Sequence, residues 1–139
     1  MRKTKNKVIC ITYSLLILMK KTVWVVEDDL GIGEIISLLL QEEGYAVRLF
    51  ENARSFLDAI GEPNPDLDIL VLDIMLPDGN GVELCNIVRT NPEIGRVPIM
   101  MMSANRALSD ISTLCSADDF IAKPFDIFDF VNKLGRLSA

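Results

Sequence analysis

Short apolar runs and helical periods alternate along the chain from residue 22. Val23-Trp24-Val25-Val26 is a continuous β-branched and aromatic run, the pattern of a parallel strand buried on both faces. Ile32, Ile35, Ile36, Leu39 and Leu40 repeat at helical spacing and mark one face of a helix, with Gly44 as its C-terminal stop. Tyr45 to Phe50 predicts a second strand. Ala53 to Ile60 predicts a short helix closed by Gly61 and the Pro63-Asn64-Pro65 breaker. Ile69-Leu70-Val71-Leu72 predicts a third strand ending at Asp73, and Pro77-Asp78-Gly79-Asn80-Gly81 a turn. Val82, Leu84, Cys85 and Val88 mark a third helix that stops before Pro92. Val97 to Met102 predicts a fourth strand, residues 105 to 115 a sparsely apolar helix, Phe120 to Ala122 a fifth strand, and Ile127 to Leu137 a last helix.

Five strand–helix units with short connections imply right-handed crossovers and a parallel sheet covered on both faces, a doubly wound α/β fold. The expected strand order is 2-1-3-4-5. One domain of this size holds a single core. No linker and no residues remain after the fifth helix, so a domain without an attached output domain is expected.

Charge divides the 139 residues unevenly. The formal net charge is −6, but residues 1 to 21 carry six basic residues and no acid. Residues 22 to 139 therefore hold eight basic residues against 20 acidic ones, a net −12. Such a surface repels phosphate backbones, so no direct nucleic-acid contact is expected. Cys10, Cys85 and Cys115 show no CxxC spacing and the chain has no histidine, which excludes a Cys/His zinc site. Scattered thiols read as reduced, and the expected location is cytoplasmic. The basic run Arg2 to Lys7 and the apolar stretch Val8 to Met19 resemble a leader. That stretch is too short to span a bilayer, which needs about 20 residues. Residues 1–18 are read as an N-terminal extension, either an over-extended translation start ahead of Met19 or a weak anchor. Residues 19–139 are read as the domain, and no membrane association is expected of it.

Ligands of an open parallel sheet bind beyond the carboxyl ends of its strands, where strand order reverses. The residues expected there are Glu27, Asp28, Asp73, Ser103 and Lys123. Three carboxylates placed together repel one another unless a cation lies among them. Mg²⁺ suits such oxygen ligands. An aspartate beside it can attack a phosphoryl group to give an aspartyl phosphate. Lys123 would offset charge on the transferring oxygens, and Ser103 could donate a hydrogen bond to the product. Each residue also has an ordinary reading. Asp29 suits a helix N-cap, Glu27 and Asp28 could lead into that turn, and Asp73 could be a turn acid. Lys123 and Ser103 could be surface residues. What those readings leave unexplained is that all five fall at strand ends in the order a phosphorylation site needs.

Four segments carry a family resemblance: Val25-Val26-Glu27-Asp28-Asp29, Leu72-Asp73-Ile74-Met75-Leu76-Pro77-Asp78-Gly79-Asn80-Gly81, Met102-Ser103-Ala104, and Ala117-Asp118-Asp119-Phe120-Ile121-Ala122-Lys123-Pro124-Phe125. Over about residues 21 to 137 the chain resembles response-regulator receiver domains, in particular stand-alone ones of the chemotaxis-regulator kind. The resemblance implies a flavodoxin-like (βα)5 three-layer sandwich. It implies that Asp73 takes a phosphoryl group from a sensor histidine kinase or a histidine phosphotransfer protein. It implies Mg²⁺ on Asp28, Asp73 and the Met75 backbone carbonyl, with Glu27 acting through a metal-bound water. Ser103 and Lys123 would contact the phosphoryl group, the Lys123–Pro124 bond would be cis, and Ser103 and Phe120 would form the switch. A target protein would then read the face built from the fourth helix, fifth strand and fifth helix. Chemistry beyond Mg²⁺-dependent self-phosphorylation and slow autodephosphorylation is not expected.

The chain departs from the family at Ser116, where a glycine commonly stands, and in a fourth helical segment about two residues short. A pseudo-receiver or scaffold that binds a partner without phosphorylation is the alternative function. A phosphatase of the haloacid dehalogenase type also uses an aspartate and Mg²⁺, but needs an acid where this chain has Met75. Met75 and Asn105 flank the expected phosphoryl site, and Met75 cannot orient a water, so slow self-hydrolysis is expected.

Overall fold

A computed structural model of the chain describes residues 20–104 and 114–139. The elements in chain order are β1 (Thr22–Val26), α1 (Leu30–Glu42), β2 (Ala46–Phe50), α2 (Ala53–Ile60), β3 (Ile69–Asp73), β4 (Met75–Leu76), β5 (Gly79–Asn80), α3 (Gly81–Thr90), β6 (Ile99–Ser103), β7 (Asp119–Ala122) and α4 (Ile127–Ser138). β4 and β5 form a small antiparallel ribbon. The other five strands make one parallel sheet in the order β2-β1-β3-β6-β7, which is the expected 2-1-3-4-5 order once the ribbon is set aside. The N-terminal extension, Cys10, Asn105 and most of the expected fourth helix lie outside the described residues.

The unbroken apolar strands follow from a sheet buried on both faces. Side chains alternate across the pleat, so each run supplies two cores. Trp24, Val26, Leu70, Leu72, Ile99 and Met101 pack toward Phe56 of α2 and Leu84 and Val88 of α3. Val23, Val25, Ile69, Val71, Met100 and Met102 pack toward Ile36 and Leu40 of α1 and Phe130 and Leu134 of α4. Helices therefore cover both faces, and the strand carboxyl ends are left at one rim. Among the described residues no helix is long and apolar enough to cross a membrane.

Several boundaries differ from the pattern. The buried line of α1 is Gly33, Ile36 and Leu40, and Ile35 is 55% exposed. Gly33 lies against β2, where a Cβ would stand 3.0 Å from the Leu49 methyl groups. A small residue thus faces the sheet where apolar spacing pointed to Ile35. β6 starts at Ile99, not Val97, because the Val97 N–H turns back to the Ile94 carbonyl at 3.0 Å. β2 starts at Ala46, because the Tyr45 N–H is taken by the Leu40 carbonyl at 2.9 Å as α1 ends. Of the Pro77 to Gly81 segment only Pro77 and Asp78 are the tip of the β4–β5 ribbon; Gly79 and Asn80 are β5, and Gly81 already belongs to α3.

Candidate functional site at the carboxyl rim of the sheet

Asp73 and Ser103 are the last residues of β3 and β6, and Glu27 and Lys123 directly follow β1 and β7. Parallel pairing of β1, β3, β6 and β7 brings these strand ends side by side. Lys123 stands at the centre. Its Nζ donates to both oxygens of Glu27 at 2.8 Å and to Asp73 Oδ2 at 2.9 Å. Its own backbone N–H donates to the Ser103 carbonyl at 2.7 Å. Glu27, Asp73 and Ser103 are buried. Asp28 is exposed at the rim, and one oxygen each of Glu27, Asp28 and Asp73 lie within 4.8 Å of one another.

Burial makes this charge set costly. Desolvation pushes Glu27 up to about 7; the adjacent Asp73 adds to the rise and Lys123 opposes it. Burial alone would lower Lys123, but its hydrogen bonds to Glu27 and Asp73 outweigh that and hold it above its ordinary value. Among the described residues three carboxylates face one ammonium, so that set, fully ionised, keeps two negative charges in excess. A divalent, oxygen-seeking cation fits that donor set and that charge.

The loop after β3 fixes Asp73 from the other side. The Met75 N–H donates to Asp73 Oδ1 at 3.3 Å, while the Met75 residue is 76% exposed. Gly81 allows α3 to start directly against the Asp73 and Ile74 backbone. A Cβ at Gly81 would stand 2.2 Å from the Asp73 carbonyl oxygen and 2.9 Å from Ile74 Cα. The Gly81 N–H donates to the Ile74 carbonyl at 2.8 Å. Asp29 is an N-cap, as its type suggested, accepting from Ile32 N–H at 3.1 Å. The Lys123–Pro124 peptide bond is cis. Phe120 is half-buried against the α2–α3 side of the core.

The turn pattern and the family segment that contain Gly81 and Asp78 assign neither a contact of its own. Gly81 is needed for close approach. Asp78 reaches across to α2, accepting from Ala53 N–H at 2.7 Å and Arg54 N–H at 3.0 Å. Neither role leaves a signal in local spacing, because the partners lie in other elements.

Residues 23–135 match the family described as the response regulator receiver domain. This chain belongs to that family. Among curated relatives, the transcriptional regulatory protein CreB of Escherichia coli is 36% identical over 111 residues, covering 78% of this chain and 46% of CreB. The chain spans about half the length of the curated relatives it matches. Among solved structures, the response regulator TrrA of Thermotoga maritima, in complex with Mg²⁺ and beryllofluoride, is 30% identical with a TM-score of 0.73, covering 84% of this chain and 98% of that one. The chemotaxis response regulator CheY4 of Vibrio cholerae has a TM-score of 0.78 at 23% identity, over 86% of this chain and 99% of that one, and shows the shared fold. The receiver domain is thus a flavodoxin-like α/β unit of two-component signalling, with an acidic pocket suited to a metal.

Proposed function

We propose that Asp73 is the phosphoacceptor and that the domain receives its phosphoryl group from a phosphohistidine on a sensor kinase or phosphotransfer protein. The observation that carries this reading is the buried Asp73 carboxylate, held by Lys123 Nζ on one oxygen and Met75 N–H on the other beside two further acids. An Asp73 oxygen attacks phosphorus as the bond from phosphorus to the histidine nitrogen breaks. Lys123 stays charged and turns from the carboxylates to the phosphoryl oxygens, and Ser103 donates to the same group. Asp28, Asp73 and the Met75 backbone carbonyl would hold Mg²⁺, with Glu27 acting through a bound water. Bound there, the ion would neutralise charge on the transferring oxygens.

Ser103 and Phe120 would then shift, and a protein partner that prefers the shifted face draws the equilibrium toward it. The acidity of residues 22 to 139 supports a protein target over direct nucleic-acid contact by this domain. In this reading the domain's own chemistry is limited to self-phosphorylation and slow autodephosphorylation. The test is intact mass after incubation with a small acyl phosphate. A single phosphoryl adduct that requires Mg²⁺ and is absent from Asp73→Asn supports the reading; an adduct of equal yield in Asp73→Asn overturns it.

A further inference from the structure

Asp78 is exposed on the ribbon between Asp73 and α3, yet both of its carboxylate oxygens are committed. Oδ1 accepts from Ala53 N–H at 2.7 Å and Oδ2 from Arg54 N–H at 3.0 Å, 25 and 24 residues away in the chain. These are the first two N–H groups of α2, which have no partner inside the helix. The ordinary cap of α2 is a different residue: Asn52 accepts from Ser55 N–H at 2.8 Å. Asp78 therefore adds a second, long-range attachment at a helix terminus that is already capped. The donated hydrogen bonds hold its carboxyl below the usual carboxylate range, with Ala53 N–H the larger cause.

The attachment bears on the pocket through the ribbon. Met75 pairs with Asn80 and Leu76 with Gly79, so the ribbon moves as a unit. A Cβ at Gly79 would meet Ala53 Cβ at 3.0 Å, so the ribbon also lies close against α2. At its far end Asn80 accepts from Val82 N–H at 2.7 Å and caps α3. Opposite Asn80, across the ribbon, Met75 donates its N–H to Asp73 Oδ1. Shifting the ribbon shifts the group that orients the Asp73 carboxylate.

We infer that Asp78 is a positioning residue: by pinning the β4–β5 ribbon to the first turn of α2, it sets the Met75 backbone against Asp73 and so tunes the pocket's affinity for a divalent cation. The inference rests on the reading of Asp73 and its acids as a Mg²⁺-dependent phosphorylation site. Asp78 is assigned to neither the ion nor the phosphoryl group, and acts on the pocket only through the ribbon backbone.

The test compares the full chain with Asp78→Ala, Asp78→Asn and Asn52→Ala, reading Mg²⁺ affinity by calorimetry, phosphoryl uptake from an acyl phosphate, and thermal stability. Asp78→Ala is expected to weaken Mg²⁺ binding roughly tenfold, with uptake restored toward wild type at saturating Mg²⁺. Asp78→Asn keeps one acceptor oxygen and falls between. Asn52→Ala removes the ordinary cap of the same helix and lowers stability without changing Mg²⁺ affinity. An unchanged affinity in Asp78→Ala, or an equal loss in Asn52→Ala, overturns the positioning role. A wild-type chain that neither binds Mg²⁺ nor takes up phosphoryl overturns the underlying site reading instead.

Discussion

Both carboxylate oxygens of Glu27 accept hydrogen bonds from Lys123 Nζ at 2.8 Å. Residues 96 apart in sequence are thereby joined beside Asp73, which accepts from the same Nζ. The pair is almost fully enclosed, with side-chain exposures of 16% for Lys123 and 0% for Glu27. Removing one partner of a buried pair leaves the other charge uncompensated, at a cost of about 3–5 kcal/mol. Lys123→Met is therefore expected to lose roughly 3 kcal/mol in urea unfolding without Mg²⁺, and to recover part of it when Mg²⁺ is added. A loss that Mg²⁺ does not change would contradict the charge balance described for the pocket.

The pH dependence follows from the same burial. Glu27 is pushed from 4.5 up to about 7 in the folded chain. The folded state then binds a proton more tightly than the unfolded state between those values, so this group favours folding in acid. Its contribution is lost as pH rises from about 4.5 through 7. In the presence of chelator, wild type is expected to lose stability over that window, and Glu27→Gln is expected to flatten the slope. Parallel slopes for the two proteins would remove Glu27 as the source.

Geometry at Gly81 carries a third prediction. A Cβ there meets backbone at 2.2 Å, so Ala cannot be accommodated by a side-chain rotation. Gly81→Ala is expected to destabilise by about 1–3 kcal/mol, the range for overpacking, and to slow phosphoryl uptake by displacing Asp73. Wild-type stability and uptake would mean that α3 can withdraw from β3 freely.

Much of this was legible in the sequence for identifiable reasons. Strands buried on both faces read as continuous apolar runs, and their ends located Glu27, Asp73, Ser103 and Lys123 without any side-chain geometry. Asp29 declared itself as a cap by type and position. The failures were contacts between elements. Ile35 fits the helical period of α1, but the line that turns inward is Gly33, Ile36 and Leu40, with Gly33 against Leu49 of β2. Val97 continues an apolar run, yet its N–H belongs to a turn. Asp78 looked like a turn acid because Ala53 and Arg54, its partners, are distant in the chain. The direct ion pair between Lys123 and Glu27 was likewise absent from the expectation, which had assigned each of them to the metal or the phosphoryl group.

The central claim is that Asp73, among the three clustered acids, takes the phosphoryl group. The most direct measurement labels the chain with an acyl phosphate in Mg²⁺, reduces the acyl phosphate with borohydride, and maps the reduced residue by peptide mass. The account predicts one reduced position, at Asp73. Reduction at Asp28 or Glu27 with Asp73 unmodified would contradict it.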